Sequence, residues 1–150
     1  MSRIAIVGGS GFIGSNLAKN LDDSWVVDIT RPSSGNSIVP VDVTDIHTIK
    51  NMLSLIEPDV VYYMAAIMRS EDCRKEPAVS TMVNIQGLSN TLTACLDLNI
   101  KRFVYSSTVH VYASATQKLV DEDTLLDSNI PTHVYPCSKL VGEMLVRSFN

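Results

Sequence analysis

Residues 4–14 read IAIVGGSGFIG, and this stretch decides the fold. Residues 3–7 are short, apolar and rich in β-branched side chains, the composition of a parallel strand buried on both faces. Glycines follow at once. Gly9, Gly11 and Gly14 give the spacing G-x-G-x-x-G, and Gly8, Gly11 and Gly14 give G-x-x-G-x-x-G. From residue 12 to residue 21, Ile13, Leu17, Ala18 and Leu21 recur at helical spacing. Strand, glycine turn and helix in this order make a seat for a pyrophosphate. The helix N-terminus offers free N–H groups and a favourable dipole, and a backbone without Cβ atoms lets the phosphates approach.

Residues 25–29 read as a second strand, closed by Thr30, Arg31 and Pro32. Asp28 stands 20 residues beyond Gly8, at the end of that strand. A carboxylate there accepts hydrogen bonds from the hydroxyls of an adenosine ribose and repels a 2′-phosphate. The expected cofactor is therefore NAD rather than NADP, a preference that Arg31 weakens. The alternative is a glycine-rich turn with an incidental Asp.

After a polar loop over 33–37, residues 38–43 read as a third strand. Asp45 is placed to cap a helix through Ile56, with Ile46, Ile49, Met52, Leu53 and Ile56 on one face and Pro58 ending it. A fourth strand over 59–64, a loop over 65–77 and a long helix over 78–99 follow. The fifth strand is expected over 102–106, then a mostly irregular stretch as far as Val134, then a closing helix over 135–149. Alternating strands and helices predict an α/β fold with a doubly wound parallel sheet of Rossmann type, with strand order 3-2-1-4-5. Residues 1–150 are expected to form a single dinucleotide-binding domain.

Composition excludes several function classes. The chain of 150 residues is 45% hydrophobic and 19% charged, with a net charge of -4. No Lys/Arg run is present to attract nucleic acid or an anionic membrane. No segment approaches the ~20 apolar residues of a membrane span, and the short first strand lacks the design of a signal peptide. Cys73, Cys95 and Cys137 form no C-x-x-C pair, as expected of reduced thiols in a cytoplasmic protein. No His/Cys/Asp cluster has metal spacing, so no metal is expected.

A second motif, YPCSK, places Tyr135 and Lys139 four apart, on one face of a helix. A free Tyr titrates near ~10 and is a poor base at neutral pH. A nearby ammonium stabilises the phenolate, and the Tyr can then exchange a proton with a substrate hydroxyl while hydride moves. Lys139 is also placed to reach the nicotinamide ribose. The bland alternative is a solvated surface Tyr-Lys pair.

These motifs, with VDVTD, PDVVYYMAA and NIQGLSNTLTACLDLNIKRFVYSSTVHVY between them, resemble the extended short-chain dehydrogenase/reductases. The likeness is to the NAD-dependent epimerase/dehydratase family of the UDP-glucose 4-epimerase type, and it covers the whole chain. It implies that Gly8, Gly11 and Gly14 hold the pyrophosphate, that Phe12 and Ile13 beside them also bind the cofactor, and that Asp28 holds the adenosine ribose. Asp42 and Val43 match a pair at the adenine, and Ala65 and Ala66 match small residues along the inner half of the cofactor. Thr108 matches the catalytic Ser/Thr after the fifth strand, with Tyr135 as acid/base and Lys139 as its partner. Asn84 matches a family Asn, read as structural. The 4,6-dehydratases carry Thr-Asp-Glu where this chain has Thr108, Val109 and His110, which lowers a dehydratase reading.

The implied activity is an NAD-dependent sugar-nucleotide epimerase or a related oxidoreductase. The alternatives are a hydroxysteroid-type dehydrogenase and a truncated NAD-binding or regulatory module without turnover. Family members run to about twice this length, so the C-terminal substrate region is expected to be absent, leaving RFVYS as an exposed sheet edge prone to self-association. Pairing of two copies through helices 78–99 and 135–149 is the expected dimer. His110 is weighed as a substrate-facing acid against a structural His. Arg69, Arg74 and Lys75 are weighed as phosphate ligands against a solvated loop. His47 and His133 read as incidental, and Cys137 carries no mark of a nucleophile.

Overall fold

The computed structural model describes residues 2–30, 40–113, 115–116, 118–125 and 133–149. Among these residues four parallel strands form the sheet: β1 (Ile4–Val7), β2 (Ser24–Val27), β3 (Val60–Tyr63) and β4 (Arg102–Tyr105), in the order β2-β1-β3-β4. β3 and β4 are the fourth and fifth strands expected from sequence. Of the expected third strand, residues 38–39 lie outside the described residues. Its remainder joins the sheet through one parallel bridge, Pro40 to Asp28, with the Val41 N–H donating to the Asp28 carbonyl. That bridge sets the third segment beside β2, as the order 3-2-1-4-5 requires.

The register sorts the side chains into two faces. Ala5 pairs with Val61 and Val61 with Phe103; Val7 pairs with Tyr63 and Tyr63 with Tyr105. Side chains in a strand alternate, so these residues share one face. That face packs into the main core with Ile49, Leu53 and Ile56 of helix α2 (Ile46–Ile56) and with Leu88, Leu92 and Ala94 of a long helix whose last segment spans Gly87–Asp97. Ile6 and Val26, of opposite parity, are buried on the other face, where Val26 meets the glycine turn that leads into α1 (Phe12–Asn20).

Asp45 caps α2 as expected, its carboxylate accepting from the backbone N–H groups of His47 and Thr48. The expected loop over 65–77 needs correction. It contains a helix, α3 (Ser70–Lys75), with Glu71 and Asp72 in its first turn, Arg74 and Lys75 in its last, and Cys73 buried. Acid at the start and base at the end suit the helix dipole, but six residues are too few to show a periodicity. Helix α4 comprises Pro77–Thr81, a π-helical turn Met82–Gln86 and Gly87–Asp97. Among its described residues the stretch after β4 is irregular except for a 3₁₀ turn, Val109–Tyr112; residues 114, 117 and 126–132 lie outside them. Helix α5 (Val134–Ser148) closes the chain. Among the described residues no helix is long and apolar enough to cross a membrane.

Candidate functional site

Gly8 begins the turn after β1 with φ at +80°, a backbone state that disfavours a side chain. A Cβ on it would also lie 2.4 Å from the Ala65 nitrogen, so the turn sits directly against the segment after β3. Gly14 is equally constrained, since its Cβ would lie 2.6 Å from the Gly8 carbonyl oxygen. Gly11 differs. Its Cβ would meet only the Gly8 oxygen, at 3.4 Å, so the space before it is open. Gly11 caps α1 without a side chain, leaving the first N–H groups of that helix free for an anion. Phe12 and Ile13 are exposed beside it.

Asp28 faces this turn from the end of β2. Its Oδ2 accepts from the Ser10 N–H at 2.9 Å, and its Oδ1 from the Thr30 N–H at 3.3 Å. Oδ1 also accepts from the Thr30 hydroxyl at 3.5 Å, so Oδ2 is the oxygen that keeps a lone pair for a ribose hydroxyl. Asp42 spends one carboxylate oxygen on the Thr44 N–H and hydroxyl, which builds the turn into α2. The Val43 side chain is buried against Gly87, and its carbonyl accepts from Asn90. Ala65 and Ala66 are half-buried at the end of β3, with the Ala65 backbone directly against Gly8.

The second half of the site forms where β4 meets α5. Lys139 is only 3% exposed, which a solvated surface pair would not be. Its Nζ donates to the Ser106 carbonyl at 2.7 Å and lies 5.8 Å from the Tyr135 ring centroid. Burial pulls the ammonium down to about 8 from its ordinary 10.5. Ser107 donates to the Glu143 carboxylate on α5, and the following residue, Thr108, caps the 3₁₀ turn that packs on α5. The strand end carrying Thr108 is thus tied on both sides to the helix carrying Tyr135 and Lys139.

Two positioning devices stand out. Asn84, 3% exposed in the π-helical turn, accepts from the Ile67 N–H at 2.7 Å and donates to the Ile67 carbonyl and the Ser138 hydroxyl, both at 3.0 Å. It joins the segment after β3 to α5, a structural role as read from sequence. His133, expected to be incidental, is not. Its Nδ1 accepts from the Tyr135 N–H and its Nε2 pairs with the Ser70 hydroxyl. His is rare among capping residues, so only its place just before the YPCSK helix could have signalled this. His110 is exposed and its N–H donates to Thr108. Arg69 and Lys75 pair with Asp72 and Glu71 on α3, as a solvated loop would.

The profile of the NAD dependent epimerase/dehydratase family matches residues 4–150. The chain belongs to that family. Its sequence is 27% identical to a UDP-glucose 4-epimerase of Mycoplasma genitalium, over 98% of this chain and 48% of that protein. It is also 27% identical to a D-erythronate dehydrogenase of Haemophilus influenzae, over 99% of this chain and 50% of that protein. A solved UDP-Glc/GlcNAc 4-epimerase from Campylobacter jejuni superposes with a TM-score of 0.84 at 25% identity, covering 99% of this chain and 49% of its own. The chain therefore spans about half the length of the relatives it matches. The family is NAD dependent, and the open space at Gly11, the uncapped start of α1 and the lone pair left on Asp28 Oδ2 fit that cofactor.

Proposed function

We propose that this chain is the cofactor-binding and catalytic part of an NAD-dependent sugar-nucleotide epimerase. The observation that carries the reading is the buried Lys139, held between the end of β4 and Tyr135. A surface pair would leave that ammonium in water. Gly8, Gly11 and Gly14 would hold the pyrophosphate, with Phe12 and Ile13 beside them on the cofactor, and Asp28 would hold the adenosine ribose. Asp42, Val43, Ala65 and Ala66 would line the rest of the cofactor groove. NAD, when bound, supplies a reversible hydride acceptor.

The chain's own residues move the proton. The Tyr135 phenolic oxygen accepts the proton of a sugar hydroxyl as the carbon beside it is oxidised, and returns it when the carbon is reduced. Lys139 supplies the positive charge that favours the phenolate. The Thr108 hydroxyl donates a hydrogen bond to the reacting oxygen. Val109 stands exposed where a dehydratase would need an acid. UDP-sugars are the substrate class, on the strength of the epimerase relatives. Two copies would pair through α4 and α5.

A dehydrogenase reading is favoured by one observation, the equal identity to the D-erythronate dehydrogenase. The same three residues would then take the proton of a hydroxyl whose carbon gives its hydride to NAD, and the hydride would leave as NADH rather than return. The test is calorimetric titration with NAD and NADP, then assay with UDP-glucose and UDP-galactose. Tyr135→Phe is expected to bind NAD as the parent does and to lose turnover. Interconversion without net NADH supports epimerisation, net NADH supports a dehydrogenase, and full activity of the Phe variant refutes the mechanism.

A further inference from the structure

The ring of Tyr105, the last residue of β4, lies under Lys139. The Lys139 Nζ stands 4.7 Å from its centroid and donates to the carbonyl of the next residue, Ser106. An ammonium has three protons to donate, and among the described residues this one carbonyl is its hydrogen-bond partner. Among the described residues the buried Tyr105 hydroxyl has no hydrogen-bond partner, so it is the ring rather than the hydroxyl that makes the polar contact. Gly142, one turn beyond Lys139, makes room for that ring. A Cβ at 142 would lie 2.1 Å from the Tyr105 hydroxyl and 2.5 Å from Cζ, a collision that would push the ring away.

We propose that Tyr105 is a positioning residue for Lys139, its ring face holding the ammonium at the depth where it meets Tyr135, with Gly142 as the small residue that admits the ring. A cation over an aromatic face is attracted most strongly when both are out of water. The groups facing Lys139 here are Tyr105 from β4 and Tyr135 on its own helix. Glu143 faces Tyr105 and is tied to Ser107. Burial, with Glu143 and Tyr135 adding to it, pushes the Tyr105 phenol well above its ordinary range, so its ring stays neutral while Lys139 titrates. The proposal rests on reading Lys139 as the partner of Tyr135, yet its test needs no turnover.

The test follows the Cε resonance of Lys139 against pH in the 150-residue chain, labelled at lysine and assigned by its loss in Lys139→Met. Tyr105→Phe keeps the ring and should keep the midpoint. Tyr105→Met fills similar space without a π face and should lower the midpoint by about one unit, a tenfold loss of the ammonium. Fluorinated phenylalanines at 105 remove electron density with little change of shape, so stepwise fluorination should lower the midpoint stepwise even if the Met variant does not fold. A midpoint unmoved by fluorination overturns the proposal, as does a Phe variant shifted as far as a folded Met variant. An active Tyr135→Phe would instead remove the catalytic reading and leave this titration standing.

Discussion

Replacing Lys139 by Met should change how the stability of this protein depends on pH. The side chain is 3% exposed, and burial takes its pKa from 10.5 in the unfolded chain to about 8 in the folded one. Below about 8 the lysine is charged in both states, and folding bears the cost of burying the charge. Above 10.5 it is neutral in both, and that cost is gone. Between the two values the unfolded chain holds a proton that the folded chain has released, so stability rises with pH across this window. At 1.36 kcal/mol per unit, the rise is about 3 kcal/mol. Met is of similar length and does not titrate. It leaves the Ser106 carbonyl without its donor, a loss of about 1 kcal/mol that is the same at every pH. The assay is urea unfolding of both proteins at several pH values from about 7 to about 10.5. The wild-type stability, taken relative to Lys139→Met, should climb by roughly 3 kcal/mol over that range. Parallel curves would refute the argument, for they would mean that the ammonium titrates as it does in water.

The glycine turn separates fold from site. Gly11→Ala meets only an ordinary contact at 3.4 Å, so it should melt as the parent does while weakening NAD binding at least tenfold by calorimetry. Gly14→Ala, with its Cβ 2.6 Å from the Gly8 oxygen, should lose both stability and binding, visible as a lowered Tm. Asn84→Ala strands the Ile67 N–H and frees the Ser138 hydroxyl, and urea unfolding should show a loss of about 2 kcal/mol. His133→Ala removes the cap at the Tyr135 N–H. It should cost about 1 kcal/mol of stability and lower turnover of the active protein more than NAD affinity, since Asp28 and the turn are untouched.

Much of this molecule is legible in its chain because the governing physics is local. A β-branched run followed by glycines and then by helical spacing has few other solutions, so β1, the turn and α1 emerge directly. Asp45 ahead of an amphipathic run marks α2 for the same reason, and the spacing of Tyr135 and Lys139 puts them on one helical face. Helix α3 is too short for periodicity to reveal. The His133 cap depends on Ser70, and the Asn84 clamp on Ile67 and Ser138, partners far apart in the chain. The fit of Tyr105 against Gly142 is likewise invisible until β4 and α5 are packed.

The most consequential case is Lys139. Its residue type and its distance from Tyr135 are written in the sequence, and they allow either a solvated pair or a buried one. Which of the two exists depends on how much water remains around the ammonium, and that is set by Tyr105, Ser106 and the β4 end that folding brings beneath it. Spacing along a helix is a local property of the chain, whereas desolvation belongs to everything packed around a group, and so it exists only once the sheet and α5 have come together.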